Sequence, residues 1–222
     1  MPAFTLYGAR GSTNTDRVRL TLAEGGFTDY ELVLLDLHKG EQKSEEHIKR
    51  HPWGKVPAIT YPDGFTLYES RVIAKYLAKK YAFPLLPPDS DNEGVAVFDQ
   101  AQSTETLYFA APAGVIGFEK YVKKFLGLPP NDAAVSDAVK SLETFFDLSE
   151  QFLRQRNYMA GSNFTLVDIF YIPLVQRLFA CGYGELVSSR TAVNAWWGRC
   201  MSRPAIQDIL AADKKAAATS RG

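Results

Sequence analysis

Three short segments in the first third of the chain carry side chains suited to gripping a small charged molecule. Ser12-Thr13-Asn14-Thr15 places hydroxyls at the entry to a helix pattern, where free backbone N–H groups and the helix dipole favour an anion. In Trp53-Gly54-Lys55-Val56-Pro57-Ala58 a proline stands directly before a strand pattern. A cis Pro57 would turn the Val56 backbone to pair with an extended peptide. In Tyr68-Glu69-Ser70-Arg71 a strand runs straight into a helix, so Glu69 can hold an ammonium while Ser70 and the helix N-terminus hold a carboxylate. Taken singly, each also has a plain reading: a Ser/Thr cap, an ordinary trans proline at a strand edge, an acid beside its own helix. Their occurrence in this order on one frame is far more specific than any of them alone.

The frame comes from the periodicity. Phe4-Thr5-Leu6-Tyr7 has a short strand pattern, a polar loop runs from Gly8 to Asp16, and Arg17 to Glu24 reads as a helix ended by Gly25-Gly26. Tyr30 to Leu35 is a more continuously apolar strand, expected to be buried on both faces. After the charged stretch from His38 to Arg50, Ala58–Tyr61 and Phe65–Tyr68 form a hairpin around Pro62-Asp63-Gly64. Ser70 to Tyr81 is then a helix, with Ile73, Tyr76 and Leu77 on one face. The order βαβ–ββα has the outline of a thioredoxin-like domain over residues 1–82.

Residues 83–91 hold three prolines and cannot continue a helix, which makes them a linker. Beyond it strand signals largely vanish, and residues 92–222 are expected to form an all-helical domain. A long pattern from Asn92 to Gly127 is interrupted at Pro112 and Gly114. Another runs from Asp132 to Arg156. Thr165 and Asp168 have the spacing of a capping box, with Phe164 and Ile169 placed as its staple. Further helices are expected over Val193–Met201 and Ala205–Ala212.

Composition narrows the function classes. Lys+Arg and Asp+Glu both number 25, so no broad electrostatic footprint for nucleic acid or an anionic membrane is expected. No apolar run approaches the roughly 20 residues that cross a bilayer, and the N-terminus lacks a signal-peptide pattern. Two cysteines, Cys181 and Cys200, make no disulfide framework, so the cytoplasm is the expected compartment. His47 and His51 are four residues apart, but Ile48 rather than Glu follows His47 and no third ligand is evident; no metal site is expected.

The text resembles the cytosolic glutathione transferases, and within them the serine-type phi class of plants and fungi. The resemblance runs through Leu6-Tyr7-Gly8 with Ser12, Gly40-Glu41-Gln42-Lys43, Pro52-Trp53-Gly54-Lys55-Val56-Pro57 and Tyr68-Glu69-Ser70-Arg71-Val72-Ile73. It continues through Tyr158-Met159-Ala160-Gly161, Phe164-Thr165-Leu166-Val167-Asp168 and Ala195-Trp196-Trp197 to Ser202-Arg203-Pro204. It implies a glutathione transferase fold, an α/β thioredoxin-like domain followed by an all-α domain, and a detoxifying conjugation of glutathione to small apolar electrophiles. Glutathione-dependent peroxide reduction is a further possibility. No cofactor is implied beyond glutathione as co-substrate.

Residue by residue, the resemblance makes Ser12 the activating serine. Gln42, where relatives often have His, and Lys43 face the glycine carboxylate. Lys55 also binds glutathione, and Val56 before a cis Pro57 pairs with the cysteinyl backbone. Glu69 and Ser70 hold the γ-glutamyl end. Thr13, Phe109 and Phe118 are candidates for the electrophile pocket, although aromatics at helical spacing are more often core. Trp53 is the expected anchor of a homodimer. No Cys lies near position 12, which argues against mixed-disulfide chemistry. The competing class is a non-catalytic carrier of apolar molecules, marked by retention on glutathione without turnover.

Overall fold

The computed structural model describes the backbone of residues 1–219 and the side chains of residues 1–216. Strand β1 (Phe4–Gly8) buries Phe4, Leu6 and Gly8 and leaves Thr5 and Tyr7 half-buried, the two-residue alternation of a sheet strand. It runs parallel to β2 (Tyr30–Leu34) and antiparallel to β3 (Ala58–Thr60), which pairs antiparallel with β4 (Thr66–Tyr68), in the order β2-β1-β3-β4. With helices α1 (Thr13–Glu24), α2 (Glu45–Arg50) and α3 (Ser70–Lys80) this completes the thioredoxin-like βαβ–ββα frame. Val18 and Leu22 of α1 and Ile73 and Leu77 of α3 are fully buried, as their one-turn spacing predicts.

Two local features differ from the periodicity reading. Helix α1 starts at Thr13, not Arg17, because Ser12 acts as its N-cap and turns the polar run Thr13–Asp16 into the first helical turn. Strand β2 is an edge of the sheet, with Leu34 exposed, instead of a strand covered on both faces. An apolar run reports hydrophobicity but neither strand order nor face coverage, and here no residue of β2 is fully buried.

The second half is helical among the described residues. Helix α4 (Asn92–Thr104) passes through a wide π-helical stretch, Glu105–Ala110, into α5 (Ala111–Gly117), and through a second, Phe118–Val122, into α6 (Lys123–Phe125). The first stretch lies just before Pro112, whose ring cannot accept a regular preceding turn. Helix α7 (Asp132–Leu153) buries Val135, Leu142, Phe145 and Phe146 on one face. Helix α8 (Leu166–Ala180) is buried nearly all round, the mark of a central helix. Its capping box is formed as spaced: Asp168 accepts from Thr165 N–H, and also from Met159 N–H and Trp196 Nε1–H. After α9 (Glu185–Ser188) and α10 (Thr191–Met201) comes α11 (Pro204–Thr219). No helix among the described residues is long and apolar enough to cross a membrane.

The chain divides into two compact units, one of Met1–Leu86 with the segment from Pro204, the other Pro87–Arg203. The boundary at Leu86–Pro87 falls inside the proline-rich segment 83–91. The helical unit, however, ends before Pro204 and does not run to 222. Helix α11 joins the first unit because Arg19 of α1 grips Asp213 with two nitrogens, at 2.7 and 2.9 Å, and Ile206 is fully buried. Residues 220–222 of the expected domain lie outside the described residues.

Candidate functional site

Sheet register brings the separate polar segments to one end of the first unit. Gly8 at the end of β1 pairs with Leu34 at the end of β2; Tyr7 pairs with Ala58 at the start of β3, and Ala58 with Tyr68 at the end of β4. The chain therefore leaves or enters the sheet at this edge in four places: before Ser12, before Gln42 and Lys43, after Val56-Pro57, and before Glu69-Ser70. Across three inter-strand steps of about 4.8 Å the row spans about 14 Å. Open sheets with parallel strands commonly place ligands beyond the carboxyl ends of those strands.

At the β1–α1 corner, Ser12 Oγ accepts from Thr15 N–H at 3.3 Å. Thr15 Oγ1 in turn accepts from Ala9 N–H at 3.2 Å, and a Cβ on Gly8 would sit 2.4 Å from Thr15 Cγ2. Gly8 thus lets the strand end close on Thr15 and fixes the Ser12 loop. Because the cap uses a lone pair of Ser12, its O–H proton stays free to donate. Thr13, the first helical residue, is half-buried.

At the β3 entry, the Val56–Pro57 bond is cis. Val56 precedes the first ladder residue, Ala58, so its N–H and C=O lie outside the strand ladder. Lys55 is exposed, and its carbonyl faces buried His47 Nε2 at 2.7 Å; since a carbonyl only accepts, Nε2 carries the proton. Lys43 Nζ donates to Trp53 C=O at 2.8 Å. Gly54, at φ 57°, makes room for it: a Cβ there would meet Lys43 Cδ at 2.7 Å and Gln42 C=O at 2.8 Å. Gln42 Oε1 is buried without a hydrogen-bond partner in the fold.

Glu69 has φ 72° and ψ 110°, outside the basins open to a residue with a Cβ. Its exposed side chain makes no cap hydrogen bond to α3, while Ser70 behind it is buried. Such strain is held by surrounding structure and clusters at functional sites. The reading of Glu69 as an acid serving its own helix therefore has no cap hydrogen bond behind it.

Trp53 is 63% exposed and shares an aromatic cluster with Tyr68 and His51, whose ring centroids lie 4.7 Å apart. His51 is buried, and burial lowers its pKa below the usual imidazole value against an opposing pull from Glu69. The sequence reading gave no role to His51 or Gly54 here, although Gly54 stood inside the quoted motif. In the helical unit, Phe118 is 48% exposed, whereas Phe109 is fully buried against Phe145, Phe146 and Tyr171. Phe109 is therefore a core residue and is withdrawn from the electrophile candidates: its ring offers no surface. Among the described residues no three of His, Cys, Asp and Glu come together as a metal set.

Comparison with known proteins gives consistent findings. Residues 2–79 match the model of the glutathione S-transferase N-terminal domain, and residues 109–204 that of the C-terminal domain. The glutathione S-transferase hmp2 of Hypomyces subiculosus is 37% identical over 201 residues, 89% of this chain and 93% of that protein. Poplar glutathione transferase F1 has a TM-score of 0.89 at 33% identity, covering 97% of this chain and 99% of its own. Maize glutathione S-transferase I, solved with an atrazine glutathione conjugate, has a TM-score of 0.87 at 32% identity, covering 96% and 98%.

Proposed function

Because the chain belongs to the glutathione transferases, and within them to the phi class, we propose that glutathione lies along the sheet edge described above with its sulfur at Ser12. The enzyme conjugates the glutathione thiolate to electrophiles. The observation that carries the assignment is the register-made row with a carboxylate at one end and an ammonium near the other. An extended tripeptide backbone covers about 10 Å, and its terminal groups reach further, which suits a row of about 14 Å. Glu69 and Ser70 hold the γ-glutamyl ammonium and carboxylate, the Val56 backbone pairs with the cysteinyl residue before cis Pro57, and Gln42, Lys43 and Lys55 hold the glycine carboxylate.

The chemistry then needs only one donor. A free thiol has a pKa of about 8.5, so little is thiolate at neutral pH. A hydrogen bond to a charged group is worth roughly 1.5–3 kcal/mol, which lowers the thiol pKa by about one to two units when it favours the thiolate. Ser12 supplies that donor, held in place by the Thr15 N–H it accepts. Thr13 in the first unit and Phe118 in the helical unit each remain a separate candidate for contact with small apolar electrophiles, and the same thiolate would reduce organic hydroperoxides. The cytoplasm is the proposed compartment, supported by Cys181, a thiol outside any disulfide.

We also assign the chain to a homodimer with Trp53 as anchor. The helical unit carries a largely apolar cavity of about 600 Å³ lined by Leu107, Tyr108, Phe145 and Leu148, and the partner's copy of it is the proposed seat for Trp53.

Ser12→Ala tests the core of this reading. Glutathione should still bind, turnover should fall, and the pKa of bound thiol, read from thiolate absorbance against pH, should rise. Full activity in Ser12→Ala with loss in Thr13→Ala would move the donor by one residue.

A further inference from the structure

A cavity of about 630 Å³ opens on the helical unit, formed by the C-terminal end of α7, the loop that follows it and one side of α10. Its lining includes Arg154, Arg156 and Arg199 against a single carboxylate, Glu150. In a chain with equal numbers of basic and acidic residues, this is a local excess of positive charge. The one carboxylate is already engaged: Glu150 Oε2 accepts from Ala192 N–H at 2.8 Å and Val193 N–H at 3.0 Å, and Oε1 takes Arg154 Nε at 3.3 Å. It satisfies the start of α10 and one arginine, and nothing more.

The other two guanidiniums have no ion-pair partner among the described residues. Arg199 donates Nε–H and Nη2–H to the same carbonyl, Asn157 C=O, at 3.1 and 2.7 Å, which points a neutral acceptor at half of its fork. Arg156 lies over the Phe152 ring at 4.1 Å, and its Nε is buried without a hydrogen-bond partner. Asp168 is near enough to pull on Arg156 electrostatically, but its oxygens are taken by Met159, Thr165 and Trp196. Buried donors are nearly always paired; the unpaired Nε is itself too buried to meet a ligand, but it marks Arg156 as poorly satisfied within the fold and leaves its terminal nitrogens to face the cavity. Planar forks of this kind recognise oxyanions with two parallel hydrogen bonds.

The remaining lining mixes Gln155, Asn157, Ser162 and Thr191, which offer amide and hydroxyl groups, with Leu153, Ala192 and Ala195, and it holds no aromatic side chain. A cavity of this volume suits a small organic molecule better than a bare ion. We propose that this cavity binds a hydroxylated organic oxyanion of the phosphate monoester class, with Arg156 and Arg199 on the phosphate. The site is built wholly from residues of the helical unit and uses none of the residues assigned to glutathione.

Calorimetric titration of the whole protein at fixed ionic strength tests it, with glucose 6-phosphate as probe and glucose and inorganic phosphate as controls. The ester should bind, phosphate alone should bind at least about tenfold more weakly, and glucose should give no heat. Arg156→Gln should weaken the ester at least about tenfold while glutathione conjugation stays at the wild-type rate. Ser162→Trp, at an exposed lining position, should block the cavity with the same split, and decides the matter if Arg156→Gln fails to fold. No heat with millimolar ester would overturn the proposal. So would unchanged affinity in the folded variants, or phosphate binding as tightly as the ester.

Discussion

Glu69 offers a test that separates backbone strain from ligand binding at one position. At φ 72° and ψ 110° it holds a conformation that costs a residue with a Cβ roughly 1–3 kcal/mol. The side chain returns little of that, since it is exposed and makes no cap hydrogen bond. Glu69→Gly removes the strain but frees the unfolded chain by about 0.4–1 kcal/mol, so folding stability should rise by up to about 2 kcal/mol. Glu69→Gln keeps the backbone and loses only the helix-dipole attraction, at most about 1 kcal/mol. Both variants remove the carboxylate proposed to hold the glutathione ammonium, a charge-assisted bond of roughly 1.5–3 kcal/mol. Affinity in each should therefore fall about ten- to a hundredfold. Urea midpoints at constant slope give the stability arm, and glutathione calorimetry gives the binding arm. A glutathione analogue lacking the amino group should lose far less between wild type and Glu69→Gln. A Glu69→Gly protein less stable than wild type would refute the strain argument. Equal losses for both ligands would show that Glu69 supports the loop without touching the ammonium.

Gly54→Ala puts a Cβ 2.8 Å from the Gln42 carbonyl, a backbone atom that cannot swing aside, at a position with positive φ. It should cost more than about 1 kcal/mol in denaturant unfolding and weaken glutathione, because Lys43 loses its seat on Trp53 C=O. Trp53→Ala should shift sedimentation toward monomer at micromolar concentration, as loss of an aromatic anchor of roughly 2 kcal/mol requires; a wild-type monomer under those conditions would contradict the dimer. His51 supplies a pH test. Its folded pKa lies below the unfolded value of about 6.5, so the unfolded chain takes up the proton first as pH falls. That contribution to stability is present above about pH 6.5 and is lost on descending through the folded pKa. His51→Phe should show a shallower acid limb in that window, and parallel limbs in the two proteins would remove His51 from the account.

Much of the architecture is local in origin and so was readable from the chain. The Thr165–Asp168 capping box, the hairpin around Pro62-Asp63-Gly64 and the faces of α3 and α7 each depend on residues within a turn or two of one another. The Ser12 cap is equally local, yet the helix begins four residues before its periodic pattern does, because polar residues in a first turn look like loop. The segments proposed to hold glutathione were legible only as an ordered set. Its identity came from the motifs, while its convergence depends on register that no single segment encodes.

What the sequence determined by itself is the set of elements, their caps and the residue types offered at the sheet edge, since backbone propensity and side-chain spacing act over a few residues. What only the tertiary structure decided are relations between distant positions. Strand order made β2 an edge, and packing drew Phe109 into the core although its spacing matched a lining face as well. The pairing of Arg19 with Asp213 across 194 positions carried α11 to the first unit. The positive φ of Glu69 likewise has no signature in its neighbours. Each of these depends on which surfaces meet, and that is settled by burial and charge pairing over the whole chain, not by the preferences of any short stretch of it.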